Sequence, residues 1–149
     1  MSIIHWGPAT WTLFHTLIEK LTDENFDKIG ITLFNYIKRI CRNLPCPDCA
    51  QHATQFLSKI NIANIKTKSD LRATIYIFHN TVNKRTKKSI YNMNDLEKYK
   101  NNNTIAVYNN FIAHYKTKGN MKLLAEAFQR QMLVTEFKKW MMYNIQMFI

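Results

Sequence analysis

Apolar residues recur every three or four positions over most of the chain, and no stretch sustains the alternation with hairpin-type turns that marks strands. The pattern predicts an all-α domain. Trp11, Phe14, Leu17 and Leu21 form a first stripe, with Pro8 placed to open the helix, because a first turn has no internal N–H bond for proline to lose. Thr22-Asp23-Glu24-Asn25 offers capping chemistry for a second helix, whose stripe runs Phe26, Ile29, Leu33, Tyr36, Ile37, Ile40 and Leu44 before Pro45 stops it. A short third helix opens at Pro47 and runs toward Leu57, which puts Cys46 at its entrance and Cys49 in its first turn.

Ser69-Asp70 marks the entrance of a fourth helix, whose face of Leu71, Ile75, Phe78 and Val82 continues toward Lys84 and meets the basic cluster Lys84-Arg85-Thr86-Lys87-Lys88. Asn94-Asp95 is read as the cap of a fifth helix through Tyr108 and Phe111 to about Tyr115, weakened by the run Asn101-Asn102-Asn103. Gly119-Asn120 is the clearest late break, so the chain divides into residues 1–118 and an extension, 119–149. In the extension Ala127, Val134, Phe137, Met141, Ile145 and Phe148 describe an amphipathic helix rich in Met and aromatic residues. It is expected to pack on the same domain or to form a subunit interface. There is no internal repeat and no Pro/Gly/Ser linker.

Composition supports a folded chain: of 149 residues 46% are hydrophobic, and only 3 Gly and 3 Pro occur. No apolar run approaches the roughly 20 residues of a membrane span. The start Met1-Ser2-Ile3-Ile4-His5-Trp6 lacks the basic-then-apolar layout of a secretory signal. The expectation is a cytoplasmic protein with no membrane partner. Lys+Arg 21 against Asp+Glu 10 gives a formal charge of +11, which suits nucleic acid, an acidic protein, an anionic membrane surface or a phosphate-bearing cofactor. It equally suits a set of solvated lysines, so charge alone does not choose.

Three Cys are too few to build a fold on disulfides. Cys46-Pro47-Asp48-Cys49 is the informative segment. Two thiols separated by two residues at a helix entrance can close a small disulfide ring, and the helix N-terminus favours the thiolate, the nucleophilic form. A zinc site assembled from Cys41, Cys46, Cys49 and His52 competes with this reading and would make the chain a zinc-stabilised basic module for nucleic acid or an acidic protein. Against it, Cys41 lies beside Ile40, where a cysteine serves as a small core residue, and His52 reads equally as a surface residue or a neighbour that tunes the thiols. A thioredoxin-like fold needs strands alternating with helices, and none is visible.

A second constellation is His79-Asn80-Thr81-Val82-Asn83, followed at once by the basic cluster. His79, Asn80 and Asn83 share one side of a helix, while Phe78 and Val82 bracket His79 with core-type residues and turn it partly inward. An inward imidazole, amides and adjacent cations together suit a heterocycle bearing a pyrophosphate. Near the amino terminus, Trp11 and His15 are one turn apart and are expected to clamp a flat ring between themselves and another helix.

Taken in order, Gly7/Trp11/His15, then Pro45/Cys46/Cys49, then His79/Asn80/Val82/Asn83 with Lys88, the chain resembles the Erv/ALR family of FAD-dependent sulfhydryl oxidases over roughly residues 5–91. The short layout and the segment His5-Trp6-Gly7 are similar to the compact members encoded by large cytoplasmic DNA viruses. That resemblance implies a small FAD-binding bundle of four helices plus a short fifth, here with the extra carboxy-terminal helix. Cys49 would lie nearest the flavin and Cys46 would meet substrate. Gly7, Trp11, His15, His79, Asn80 and Asn83 would hold the cofactor, with Lys84 and Lys88 on the phosphate side and Tyr91 near the adenine.

The same resemblance implies an enzyme that turns a protein dithiol into a disulfide and passes electrons through FAD to O2, giving H2O2, as a homodimer without metal or nucleic acid. A catalytically silent, flavin-bearing assembly protein is the further alternative. Two departures stand out. Many relatives have a Trp five residues before the His-Asn pair, where this chain has Thr74, and cellular relatives have extra Cys pairs that the lone Cys41 cannot supply. Substrate is therefore expected to reach Cys46 directly or through a thioredoxin-like carrier.

Overall fold

The computed structural model describes residues 3–115 and 124–149. Among them there are no strands. The helices are α1 (Ile3–Lys20), α2 (Asp23–Arg42), α3 (Pro47–Ser58), α4 (Lys68–Arg85), α5 (Thr104–Tyr115) and α6 (Leu124–Tyr143), with 3-10 segments at Ile62–Asn64, Met93–Asn101 and Ile145–Phe148. The all-α expectation holds.

Local chemistry explains most boundaries. Thr22 caps α2 by accepting the Asn25 N–H at 3.0 Å, and Cys46 caps α3 with Pro47 following it. Three expectations need correcting. Helix α1 starts well before Pro8 and contains it, because Trp6, Ala9 and Thr10 are already buried and the core recruits the earlier turn. Helix α4 starts at Lys68, capped by Thr67 rather than by Ser69-Asp70. The Thr67 hydroxyl accepts the Asp70 N–H at 3.1 Å, and the Asp70 carboxylate accepts the N–H groups of Thr67 and Lys66 at 3.0 and 2.9 Å, a reciprocal capping box.

The third correction concerns the fifth helix, which is two elements. Asn92 caps a 3-10 segment and Asn103 accepts the Ala106 N–H at 2.9 Å at the head of α5, so the asparagine run ends one element and starts the next. The Gly119-Asn120 break lies outside the described residues.

Helix α1 is central, packing on α4, on α5, and on the 3-10 segments Met93–Asn101 and Ile145–Phe148. Glu19, buried near its end, forms an ion pair with Arg72 at 2.8 Å and its carbonyl accepts Lys68 Nζ at 2.9 Å. These bonds fix α1 against α4 and so fix Trp11 against His79. Helix α2 packs on α3, α4 and α6. Leu133, Val134, Phe137 and Met141 of α6 and the following Phe148 sit in the same buried cluster as Leu17, Phe34 and Ile37. Burial of such side chains stabilises by about 1.5–3 kcal/mol each, enough to hold α6 as part of one core. Tyr115 donates its hydroxyl hydrogen to Ile40 O at 2.9 Å, and Thr104 donates to Phe148 O, closing the bundle around α5.

Candidate active site

Cys46 and Cys49 are joined in a disulfide across the first turn of α3, with their Cα atoms 5.2 Å apart. Cys46 is the N-cap, and its Sγ accepts the Cys49 N–H at 3.3 Å. The sulfur therefore receives one of the unpaired amides of a helix N-terminus, the environment that stabilises a thiolate. The two cysteines differ in their surroundings. Cys49 lines a cavity of about 290 Å³, whereas Cys46 is half-buried and is not among the residues lining it.

That cavity lies between α1, the end of α2, α3 and α4. Trp6, Gly7 and Trp11 line it from α1, Cys41 and Leu44 from the end of α2, and Ala53 beside Cys49 from α3. Phe78, His79, Val82, Asn83, Arg85 and Thr86 line it from α4, and Lys88, Tyr91 and Tyr99 from the segment beyond. Its volume is near the lower end for small-molecule sites, with an aromatic floor and a few polar groups.

The floor is a stack of rings. Trp11 and His79 lie face to face, centroids 4.1 Å apart and planes within 9°, and Phe78 meets Trp11 edge-on at 5.0 Å. Because Trp11 already rests on His79, the Trp11/His15 pair is not an open clamp. The rings make one continuous surface against which a flat ligand can lie. Behind it His15 Nε2 and His79 Nδ1 are 2.9 Å apart, a hydrogen bond in which one ring donates and the other accepts. Burial pushes His15 down to about 3, helped by His79 and Arg72, and burial pushes His79 down to about 4, helped by Lys88. Burial thus favours the neutral form of both imidazoles at pH 7, and the shared bond needs one of them as acceptor.

Not every residue singled out in the sequence reaches the cavity. Gly7, Trp11, Cys49, His79, Asn83, Lys88 and Tyr91 line it. His15 supports His79 from behind. Asn80 holds the backbone of Tyr91, accepting its N–H at 2.7 Å and donating Nδ2–H to its carbonyl at 3.0 Å. Lys84 is exposed and does not line the cavity, while its neighbour Arg85 does.

The turn after α4 is what brings Lys88 and Tyr91 back over the cavity. Lys88 N–H bonds to Asn83 O at 2.8 Å and Lys87 N–H to Lys84 O at 3.3 Å, a Schellman ending with Lys87 at φ 60°. Asn83 is 7% exposed and its side-chain amide makes no hydrogen bond among the described residues, leaving it free to meet a ligand in the cavity it lines.

Sequence reasoning missed Trp6, Leu44, Phe78, Arg85 and Tyr99 as cavity residues. Phe78 and Arg85 were visible as neighbours of the motif but not their helical phase. Tyr99 sits in a 3-10 segment with no pattern of its own. Thr74 is half-buried, bonds back to Asp70 O at 2.8 Å and does not line the cavity; the rings of Tyr99 and Tyr91 lie 5.0 and 6.3 Å from that of His15.

Nothing favours the zinc assembly. The sulfurs of Cys46 and Cys49 are bonded to each other, His52 is exposed, and Cys41 is 2% exposed in the core with its thiol pushed far up by burial. Among the described residues no group of three or more His, Cys, Asp or Glu is placed to hold a metal ion. None of the described helices is long and apolar enough to cross a membrane.

Comparison with known proteins adds three relatives and a family. A model of the Erv1/Alr family matches residues 8–103. A protein named FAD-linked sulfhydryl oxidase from African swine fever virus (isolate Pig/Kenya/KEN-50/1950) is 31% identical over 99 residues, 66% of this chain and 80% of its own length. A probable FAD-linked sulfhydryl oxidase of variola virus, OPG072, is 35% identical over 75 residues, 50% of this chain and 72% of its own. The yeast FAD-linked sulfhydryl oxidase ERV2 is 31% identical over 87 residues, 57% of this chain and 43% of its own. No solved structure gives a significant match. The family match takes in the bonded cysteines and both ends of the ring stack and stops short of α5, and on that extent of likeness the chain belongs to the Erv1/Alr family.

Proposed function

We propose that this chain is an FAD-linked sulfhydryl oxidase that converts protein dithiols to disulfides and delivers the two electrons to O2, giving H2O2. The observation that carries the reading is the position of Cys49, on the wall of the cavity floored by Trp11 and His79 while bonded to Cys46 outside it.

The residues present fit FAD. The stacked Trp11 and His79 offer a flat apolar surface, the unsatisfied amide of Asn83 offers hydrogen bonds to a heterocycle, and Arg85 and Lys88 offer charge to phosphates, with Lys84 nearby in sequence. Tyr91 and Tyr99 provide further aromatic surface, and His15, Asn80 and Gly7 shape the site. When bound, FAD supplies the two-electron acceptor that a dithiol pair needs and the donor from which O2 is reduced.

The chain's own part is disulfide exchange. A substrate thiolate attacks Cys46 Sγ, the sulfur outside the cavity; the Cys46–Cys49 bond breaks and Cys49 leaves as a thiolate at the head of α3. The substrate's second thiolate then attacks its own sulfur in the mixed disulfide and displaces Cys46, whose thiolate is stabilised by the Cys49 N–H. The substrate loses two electrons and two protons, and the cysteine pair gains both electrons. Reoxidation of the pair restores the bridge, and two electrons and two protons taken up by O2 make H2O2. Neutral His15 and His79 add no charge to the wall, and Trp11 and Phe78 exclude water from it. A homodimer and a thioredoxin-like carrier are part of the same reading.

The test is the purified protein with reduced dithiothreitol and a reduced protein dithiol. The expected result is a flavin absorption spectrum, with one O2 consumed and one H2O2 formed per disulfide, abolished in Cys46→Ser and Cys49→Ser. A colourless protein holding zinc would establish the basic module instead, and bound flavin without O2 consumption would establish a silent assembly protein. Mass in solution tests the dimer.

A further inference from the structure

A second hollow, about 930 Å³, runs along the outside of the bundle between α6 and the end of α2, and it reaches the first turn of α3 at Pro47 and Ala50, the neighbours of Cys46 and Cys49. Leu44 lines both this groove and the cavity described above. Pro47 and Ala50 bring the groove to the residues next to the bridge, and Cys46, half-buried, lines neither hollow.

The groove has a sign. Arg39, Arg42 and Lys139 line its surface against Glu126 and Glu136, a lead of one cation, while Arg130 lies beneath them almost fully buried. Glu136 is already engaged by Arg39 at 2.7 Å across the α2–α6 boundary. Apolar surface runs beside the charges: Met132, 59% exposed, lines the groove, and Phe128, 66% exposed, lies one turn before it on α6. Helix α6 is beyond the residues matched by the family model, so this wall is a feature of this chain rather than of the shared segment.

We propose that this groove seats the dithiol substrate: an extended, acidic segment of the substrate protein lies between α2 and α6, with an apolar side chain against Met132, and delivers its cysteine to Cys46. The inference rests on the oxidase reading and adds the substrate class to it. Charge complementarity sets the preference, since carboxylates flanking a substrate cysteine meet Arg42 and Lys139, and the groove's approach to the residues next to the bridge sets the register. Recognition of this kind is screened by salt, because Arg42 and Lys139 are both exposed.

The experiment uses the flavin-loaded full chain and two synthetic dithiol peptides with the same cysteine spacing, one flanked by Asp and Glu, the other by Lys. Dithiothreitol oxidation by the wild-type protein is the control: its absence would remove the oxidase reading itself. With that activity present, the acidic peptide is expected to show a kcat/KM at least tenfold above the basic one at low ionic strength. The ratio should fall toward one at high salt and in Arg42→Glu and Lys139→Glu, chiefly through KM. A ratio near one in the wild-type protein, or a ratio that the two variants leave untouched, would overturn the proposal. So would a Met132→Asp variant that turns a dimer into a monomer while keeping the peptide preference, since the groove would then belong to a second copy of the chain.

Discussion

Asn80 holds both backbone polar groups of Tyr91, its carbonyl oxygen taking the N–H at 2.7 Å and its amide giving a hydrogen to the C=O at 3.0 Å. A side chain eleven positions earlier thus does the work of a strand partner for a segment that has no ladder of its own. Asn80→Ala removes both bonds and is expected to destabilise the fold by about 1–2 kcal/mol and to weaken FAD retention through the loosened Tyr91. Asn80→Asp keeps the acceptor and loses the donor, so its loss should be intermediate. Urea midpoints and the free-flavin fraction after dialysis check both; equal stability of the alanine variant and the parent would contradict the role.

Acid should weaken the fold through the ring pair. His15 and His79 titrate near 3 and 4 in the folded chain, depressed first by burial, whereas an unfolded imidazole titrates near 6.5. Above about 6.5 both states are neutral and pH has no leverage here. As pH falls below that value the unfolded chain binds protons that the folded one refuses, so stability declines until the folded imidazoles charge as well. Thermal midpoints from pH 7.5 to 4.5 should drop, and the slope should be shallower in His15→Gln, which leaves one imidazole to titrate.

Lys87 sits at φ 60° at the end of α4, a left-handed position that glycine adopts without a Cβ penalty. Lys87→Gly is expected to raise stability by about 0.5–1 kcal/mol after the entropy of the freer unfolded chain is subtracted. A denaturant midpoint that moved downward would show that the lysine side chain contributes more than its backbone costs.

Gly30 offers the opposite case. A Cβ there would lie 2.1 Å from the ring of Phe26, a buried residue one turn earlier on α2. Alanine gains about 1 kcal/mol in helix propensity, but displacing a packed ring costs about 1–3 kcal/mol. Gly30→Ala is expected to be destabilising on balance, as measured by its urea midpoint.

Cys41 should be chemically silent in the folded protein. Its thiol is buried in the core and held in the neutral form by desolvation. Alkylation followed by mass measurement should add no label to the oxidised native chain, two labels after mild reduction, and a third only on unfolding. A third label at a rate near that of the first two would place Cys41 among the working thiols.

The elements that sequence revealed well are those whose signal is local. The stripe Phe26 to Ile40 and the Thr22 cap define α2, and Cys46-Pro47 defines the head of α3, because capping and periodicity depend on neighbours in the chain. Gly7, Trp11, Cys49 and the His79 motif, separated in the chain, line one cavity, and each sits in a short segment legible in the sequence. What was not legible depends on packing between distant segments. The early start of α1 follows from burial of Trp6, and Tyr99 enters the cavity through a 3-10 segment without periodicity. The choice of Arg85 over Lys84 depends on the phase in which α4 meets α1. Helical spacing pairs Trp11 with His15, but the contact of Trp11 with His79 depends on the docking of α1 on α4.

Leu44 belongs to the walls of both hollows. One leucine thus touches both the proposed seat of incoming protein and the proposed seat of a redox ring, two hollows that share a wall residue. No residue of α6 lines the inner cavity, so on the proposed reading changes along α6 would alter what is admitted outside while leaving the inner walls intact, and only Leu44 would couple the two.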